Sequence, residues 1–272
     1  YSYRNSINRI TREIYEEITS QKNMEVHEEM KQIETFPDDN LQILNPMQIS
    51  TGLNKIREHL LIPEEKILEI VDALSSGRHI LLAGPIGTGK TQLAQLIPEI
   101  FWDHLGRYSN EGEINGYLAE DHTATSDWNT QDVIGGIFPR VNDDGTPSYA
   151  IQNGCVVDTV QKNWQYGVNG GERVPVDGSY SKRYRGVWLI IDEFNRADID
   201  KAFGQLFTSL RTQKLKIPTI TEESYQALKI PNDYRIIGTL NTQDKHFLFQ
   251  LSDALKSRIA YIEIDIPTFK DK

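Results

Sequence analysis

The chain has 272 residues and a formal net charge of −10, from 29 basic and 39 acidic side chains. With 38% hydrophobic and 25% charged residues it can form one large domain or two modest ones, which excludes wholesale disorder. The acidity argues against a protein that coats nucleic acid, and the single cysteine, Cys155, against a disulfide framework or cysteine-cluster metal site; no apolar run approaches the ~18 residues of a membrane span.

Residues 1–75 carry 8 basic and 14 acidic residues and read as helical. Ile7, Ile10, Ile14 and Ile18 share one helical face, with Glu13, Glu16 and Glu17 mostly opposite, and a second short helix is predicted over Glu25–Ile33. Phe36-Pro37-Asp38-Asp39-Asn40 breaks the pattern. The chain therefore divides into an N-terminal helical segment, 1–45, and a larger domain, 46–272, with an inserted region at about 105–185. A further helix starts at Pro63, with Glu64 and Glu65 in its first turn and a stripe of Ile67, Ile70, Val71 and Leu74; Gly77 stops it.

From Arg78 strand and helix alternate. Ile80–Ala83 is a buried strand, and Thr91–Phe101 a helix that Pro98 should kink or end. Gly186–Asp192, Tyr234–Leu240 and Ala260–Ile266 are strands, with helices over Ile199–Leu210 and Leu251–Arg258. The region 105–185 is rich in Gly, Asn, Asp and Ser. A strand near Leu118–Thr125, a hairpin around 137–152 turning at Asn142-Asp143-Asp144-Gly145, and a helix near Val156–Trp164 are expected there. The sum is an α/β fold, a parallel sheet with helices on both faces.

Four elements carry chemistry. Gly84-Pro85-Ile86-Gly87-Thr88-Gly89-Lys90-Thr91 fits the phosphate-binding loop pattern between a strand and a helix. Its glycines let backbone N–H groups surround an anion, Lys90 supplies charge at the β/γ oxygens, and the Thr91 hydroxyl suits Mg²⁺. The strand Val187–Ile191 ends in Asp192-Glu193, two carboxylates at the carboxyl edge of the sheet. Asp192 is placed for Mg²⁺ and Glu193 for general-base work on water. A third strand ends in Gly238-Thr239-Leu240-Asn241-Thr242-Gln243-Asp244, where Asn241 offers a neutral amide to orient water. Before the last strand, Ala254-Leu255-Lys256-Ser257-Arg258-Ile259 offers Arg258 as an arginine finger toward a neighbouring subunit.

In this order the four elements resemble the AAA+ ATPases, specifically the branch of McrB, MoxR and the dynein-related ATPases, over roughly residues 45–266. Asp192-Glu193-Phe194-Asn195-Arg196-Ala197 is similar to a run shared by MoxR and McrB, and Asn241-Thr242-Gln243-Asp244 looks like the N-T-x-D signature of McrB. The resemblance implies Lys90 and Thr91 at phosphate and Mg²⁺, Asp192 and Glu193 as the Walker B pair, Asn241 as sensor 1 and Asp244 as the second polar residue of that motif. The sequence departs from the branch in three ways. Lys256-Ser257-Arg258 stands where McrB-like proteins tend to have consecutive arginines. Pro98 interrupts a helix usually continuous in this class. The chain stops six residues after Ile266, so the helical lid bearing sensor 2 is expected to be absent from it.

The expected activity is Mg²⁺-dependent hydrolysis of ATP or GTP that drives conformational work in a homo-oligomeric ring. The work is either that of a McrB-like motor on DNA or MoxR-like remodelling of a protein client. The acidic first 75 residues do not support a DNA-reading module. The alternative is a nucleotide-gated assembly module with little hydrolysis, as the missing arginines and lid suggest. The chain begins at Tyr1 and shows neither a basic nor an apolar leader region, so no export signal is visible; a cytoplasmic location and no membrane partner are expected. The six histidines show no close ligand pairing.

Overall fold

The structure is a computed structural model and describes residues 40–102, 108–109, 112–164, 173–219, 225–241 and 257–265, all within one compact unit, Phe36–Lys272. The helices expected over Ile7–Ile18 and Glu25–Ile33, most of that over Leu251–Arg258, and Asp244 lie outside the described residues.

Parallel strands β1 (His79–Gly84), β3 (Gly112–Thr123), β7 (Arg183–Asp192), β10 (Ile236–Asn241) and β11 (Ile259–Glu263) form the central sheet in the order β11-β1-β10-β7-β3. β2 (Tyr108–Ser109) extends it antiparallel to β3, and β6 (Val176–Asp177) pairs antiparallel with β7. Alternation along each strand feeds two cores. Ile80, Leu82, Trp188, Ile190 and Ile237 face α1 (Pro46–Arg57), α2 (Glu64–Ser75) and α3 (Lys90–Phe101). Leu81, Ala83, Leu189, Ile191 and Leu240 face α5 (Cys155–Gln161) and α6 (Ile199–Thr212). Burial on both faces is why these strands read as unbroken apolar runs. Among the described residues no helix is long and apolar enough to cross a membrane.

The expected strands and helices in the described regions are present, with shifted ends. Helix α3 passes through Pro98 and continues to Phe101. Proline removes one N–H bond, yet Leu93, Ala94, Ile97 and Phe101 are buried on that helix, and their packing holds its last turn in place. Gly116 of β3 lies beneath it, where a methyl group would sit 2.3 Å from the Pro98 carbonyl oxygen. The hairpin in the inserted region pairs β4 (Gly135–Val141) with β5 (Pro147–Asn153), and Gly145 takes a φ of 81° at its turn.

Helix α1 and a second hairpin are additional to the expected set, as are β2, β6 and the single-turn helix α4 (Thr130–Val133). Helix α1 opens with a capping box, in which Asn45 and Gln48 each accept the other's backbone N–H, and Pro46 stands at its first position. A second hairpin, β8 (Lys214–Pro218) with β9 (Tyr225–Lys229), leaves α6 directly through Gln213, whose φ is 52°. Residues ahead of α1 belong to the same packing: Leu44 is buried and Trp102 Nε1 donates to the Gln42 carbonyl at 3.0 Å.

The edge of the sheet where the parallel strands begin is tied by a buried polar cluster. Asp233, fully buried ahead of β10, accepts from Tyr117 Oη at 2.8 Å and Arg173 Nη1 at 2.7 Å, with Arg185 Nε at 3.4 Å. Burial, and next the Asp233 charge, push the Tyr117 phenol well above its ordinary pKa. On the same edge the His79 ring is buried and its Nδ1 accepts the Ile236 N–H at 3.0 Å. Burial, followed by the charges of Arg235 and Arg258, lowers its pKa to about 3.

An imidazole that stays neutral in the fold but protonates at ordinary pH when unfolded makes stability fall with acid. The unfolded chain binds the extra proton between the unfolded pKa of 6.5 and the folded value of about 3. From pH 7 to pH 5 this single group should remove about 2 kcal/mol from the unfolding free energy. His79→Asn, whose Oδ1 can accept the same N–H, should show a loss smaller by about that amount in parallel urea titrations; equal losses would contradict the assignment.

Candidate functional site

Three strand ends meet at the opposite edge. Gly84 ends β1 and pairs in register with Asn241, which ends β10; β10 in turn pairs with β7, which ends at Asp192. The loop from Gly84 to Thr91 curls over this edge into α3. A cavity of about 350 Å³ lies there, lined among others by Gly87, Lys90, Thr91, Asp192, Glu193 and Asn241. Of the expected residues, Ile86, Gly87, Gly89, Lys90, Thr91, Asp192, Glu193 and Asn241 thus line one cleft.

The loop owes its path to its small residues. A methyl group at Gly84 would sit 2.1 Å from the Ile264 carbonyl oxygen, and Ile264 N–H donates to Ala83 O at 2.6 Å, so the chain leaving β11 presses directly on the loop's first residue. Gly89 caps α3 at a φ of 78°, a left-handed conformation that aims the first turn of the helix into the cleft. Pro85 O accepts the Thr88 hydroxyl at 3.0 Å and closes the turn.

Lys90 is 7% exposed, and its Nζ donates to Gly84 O at 3.0 Å and Pro85 O at 2.7 Å. Burial lowers its pKa, and the nearby Asp192 carboxylate partly offsets that. Thr91 donates its hydroxyl to Asp192 Oδ1 at 3.0 Å. The same oxygen accepts the hydroxyl of Thr239. Glu193 follows Asp192 with a φ of 54°, which costs a non-glycine residue about 1–2 kcal/mol and turns its side chain out of the strand's alternation. Its carboxylate meets Arg196 Nε at 2.8 Å across a single 3₁₀ turn, Phe194–Arg196.

Oxygen donors from Thr91 and Asp192 side by side suit Mg²⁺, which binds through one or two carboxylates and substrate oxygens; among the described residues no group of three His, Cys, Asp or Glu suggests a different metal. Gly84, Pro85 and Thr88 belong to the loop without lining the cavity, and Asp244 is outside the described residues.

Arg258 is not gathered here. It precedes β11, whose first residue Ile259 pairs with His79 at the start of β1, so it stands roughly 16 Å down the sheet from Gly84. Two residues in or beside the cleft make contacts with the acidic pair that the motifs do not announce. Thr239 and Arg196 stand within quoted motifs, yet only the coordinates show them holding the acidic pair.

Residues 79–259, more than half of the chain, match the AAA domain of the dynein-related subfamily. The chain belongs to this family. It is 27% identical over 221 residues to the Type IV methyl-directed restriction enzyme EcoKMcrB subunit of Escherichia coli (strain K12), an alignment covering 78% of this chain and 41% of that protein. A solved structure from Cytophaga hutchinsonii, described as a proposed ATPase, superimposes with a TM-score of 0.46 at 14% identity, covering 82% of this chain and 52% of that one. The AAA assignment agrees with the parallel sheet and the loop at its edge.

Gly84→Ala should cost about 1–3 kcal/mol in urea unfolding, since backbone rather than a flexible side chain opposes the added methyl. A loss below about 0.5 kcal/mol would show that the exit from β11 yields freely.

Proposed function

We propose that the cleft binds ATP or GTP with Mg²⁺ and hydrolyses it, and that the work is done in a homo-oligomeric ring. The supporting observation is the convergence of Lys90, Thr91, Asp192, Glu193 and Asn241 around one cavity at the edge where the parallel strands end. Phosphoryl transfer to water needs positioning and charge neutralisation more than covalent chemistry. In this reading the loop from Gly84 to Gly89, through the N–H groups of its residues other than Pro85, and Lys90 hold the terminal phosphates. Thr91 and Asp192 would hold Mg²⁺, which supplies charge neutralisation when bound. Glu193 accepts a proton from the attacking water at its carboxylate, Asn241 orients that water, and Asp244 supports the same motif.

Arg258 stands far from its own cleft, which fits action on the nucleotide of an adjacent copy; arginines supplied in trans raise rates by about 10³–10⁵. The compact unit Phe36–Lys272, rather than residues 46–272 alone, would form the motor domain, since Gln42 and Leu44 pack with it. The object of the work is a DNA track or a protein client, in a cytoplasmic setting. The McrB-like kinship favours the first, and the net charge of −10 favours the second. The chain spans 41% of the restriction subunit, so that protein's own activity is a proposal for this one.

Glu193→Gln should lower phosphate release by about 10²–10⁴-fold with nucleotide affinity kept. Parental turnover by this variant would refute the base assignment. Tight, mass-shifting nucleotide binding without phosphate release from the parent would favour the gated module instead. Titration with duplex DNA at two salt concentrations separates the two kinds of work: stimulation that falls steeply with salt marks a DNA motor, and none marks a protein remodeller.

A further inference from the structure

We propose that Thr239 is a positioning residue for hydrolysis, a pin that fastens both Walker B acids to the strand carrying Asn241. The inference rests on the functional reading above but concerns a residue which that reading leaves without a role.

The parallel ladder between β10 and β7 runs Ile236↔Leu189, Ile237↔Ile190, Gly238↔Ile191 and then stops. Continuing the register places Thr239 opposite Asp192. There the backbone pairing gives way to side-chain bonds. The Thr239 hydroxyl donates to Asp192 Oδ1, and Thr239 Oγ1 in turn accepts the backbone N–H of Glu193 at 3.3 Å. One hydroxyl therefore uses its proton on the first acid and a lone pair on the second. Thr239 is 2% exposed, so water is a poor substitute for either bond.

Both bonds act where the chain is least constrained by the sheet. Glu193 has left the strand into a left-handed conformation, so its amide can no longer join the ladder. Thr239 captures that amide and sets the point from which the Glu193 side chain departs. On the Asp192 side, Thr91 and Thr239 bind the same carboxylate oxygen, which orients the group. Because Thr239 precedes Asn241 by two residues on one strand, both side chains lie on the same face of the sheet. Any shift of the β10 tip is thereby transmitted to both acids.

Thr239→Val keeps the shape and deletes the hydroxyl, whereas Thr239→Ser keeps the hydroxyl and deletes a methyl. Valine should lower kcat by about 10–100-fold with the nucleotide KM within about twofold of the parent, and serine should recover most of the loss. Hydrogen exchange at the Glu193 amide, measured on the resting chain, should accelerate in the valine variant and slow again with serine. Parental kcat in Thr239→Val, serine as impaired as valine, or unchanged Glu193 exchange would each overturn the proposal. The two readings fail separately. If the parent and Glu193→Gln release phosphate alike, the functional reading falls, while amide exchange still decides whether the pin exists.

Discussion

The parallel registration of β1, β10 and β7 is the constraint on which the rest depends. Three strands buried on both faces can neither slip by one residue nor shorten without moving apolar side chains between the two cores. Once Gly84 is paired with Asn241 and Gly238 with Ile191, the ends of all three strands must coincide. Every polar group in the cleft is carried on one of those ends or on the helix that leaves the first of them. The site is precise because the hydrophobic sheet beneath it allows no alternative register.

The opposite edge is fastened by other means. There the strands start, and a single buried carboxylate, Asp233, gathers Tyr117, Arg173 and Arg185 from separate elements. Arg235 adds a staple to the end of α2 through the Leu74 carbonyl at 2.9 Å. Buried charge of this kind adds little net stability, but breaking it is costly, which discourages other arrangements of the strand entries. One edge is thus closed over buried charge, whereas the other presents its glycines, hydroxyls and carboxylates to a cavity.

Much of this was legible in the residues themselves. The phosphate loop announces itself because only glycines permit its close approaches, and β7 because five apolar residues precede two acids. The inserted hairpin was visible through Asn142-Asp143-Asp144-Gly145. Helix α1 was harder to see. Its capping box is local and readable, but its buried residues, Gly52, Leu53 and Ile56, make a sparse stripe. Among its described residues the β8–β9 hairpin has Leu215, Ile217 and Leu228 buried among lysines, a pattern that does not separate a short strand from the end of α6. The parts played by Thr239 and Arg196 depend on a strand crossing and on a left-handed residue, neither of which a linear pattern encodes.

The Lys90 ammonium does not wait in open solvent; Gly84 and Pro85 carbonyls already engage it. An arriving anion must detach it from these oxygens, so association exchanges one set of acceptors for another. Measured affinity then reports a difference between two well-satisfied states. Under the proposed function, the loop's own carbonyls would compete with the phosphate for this ammonium.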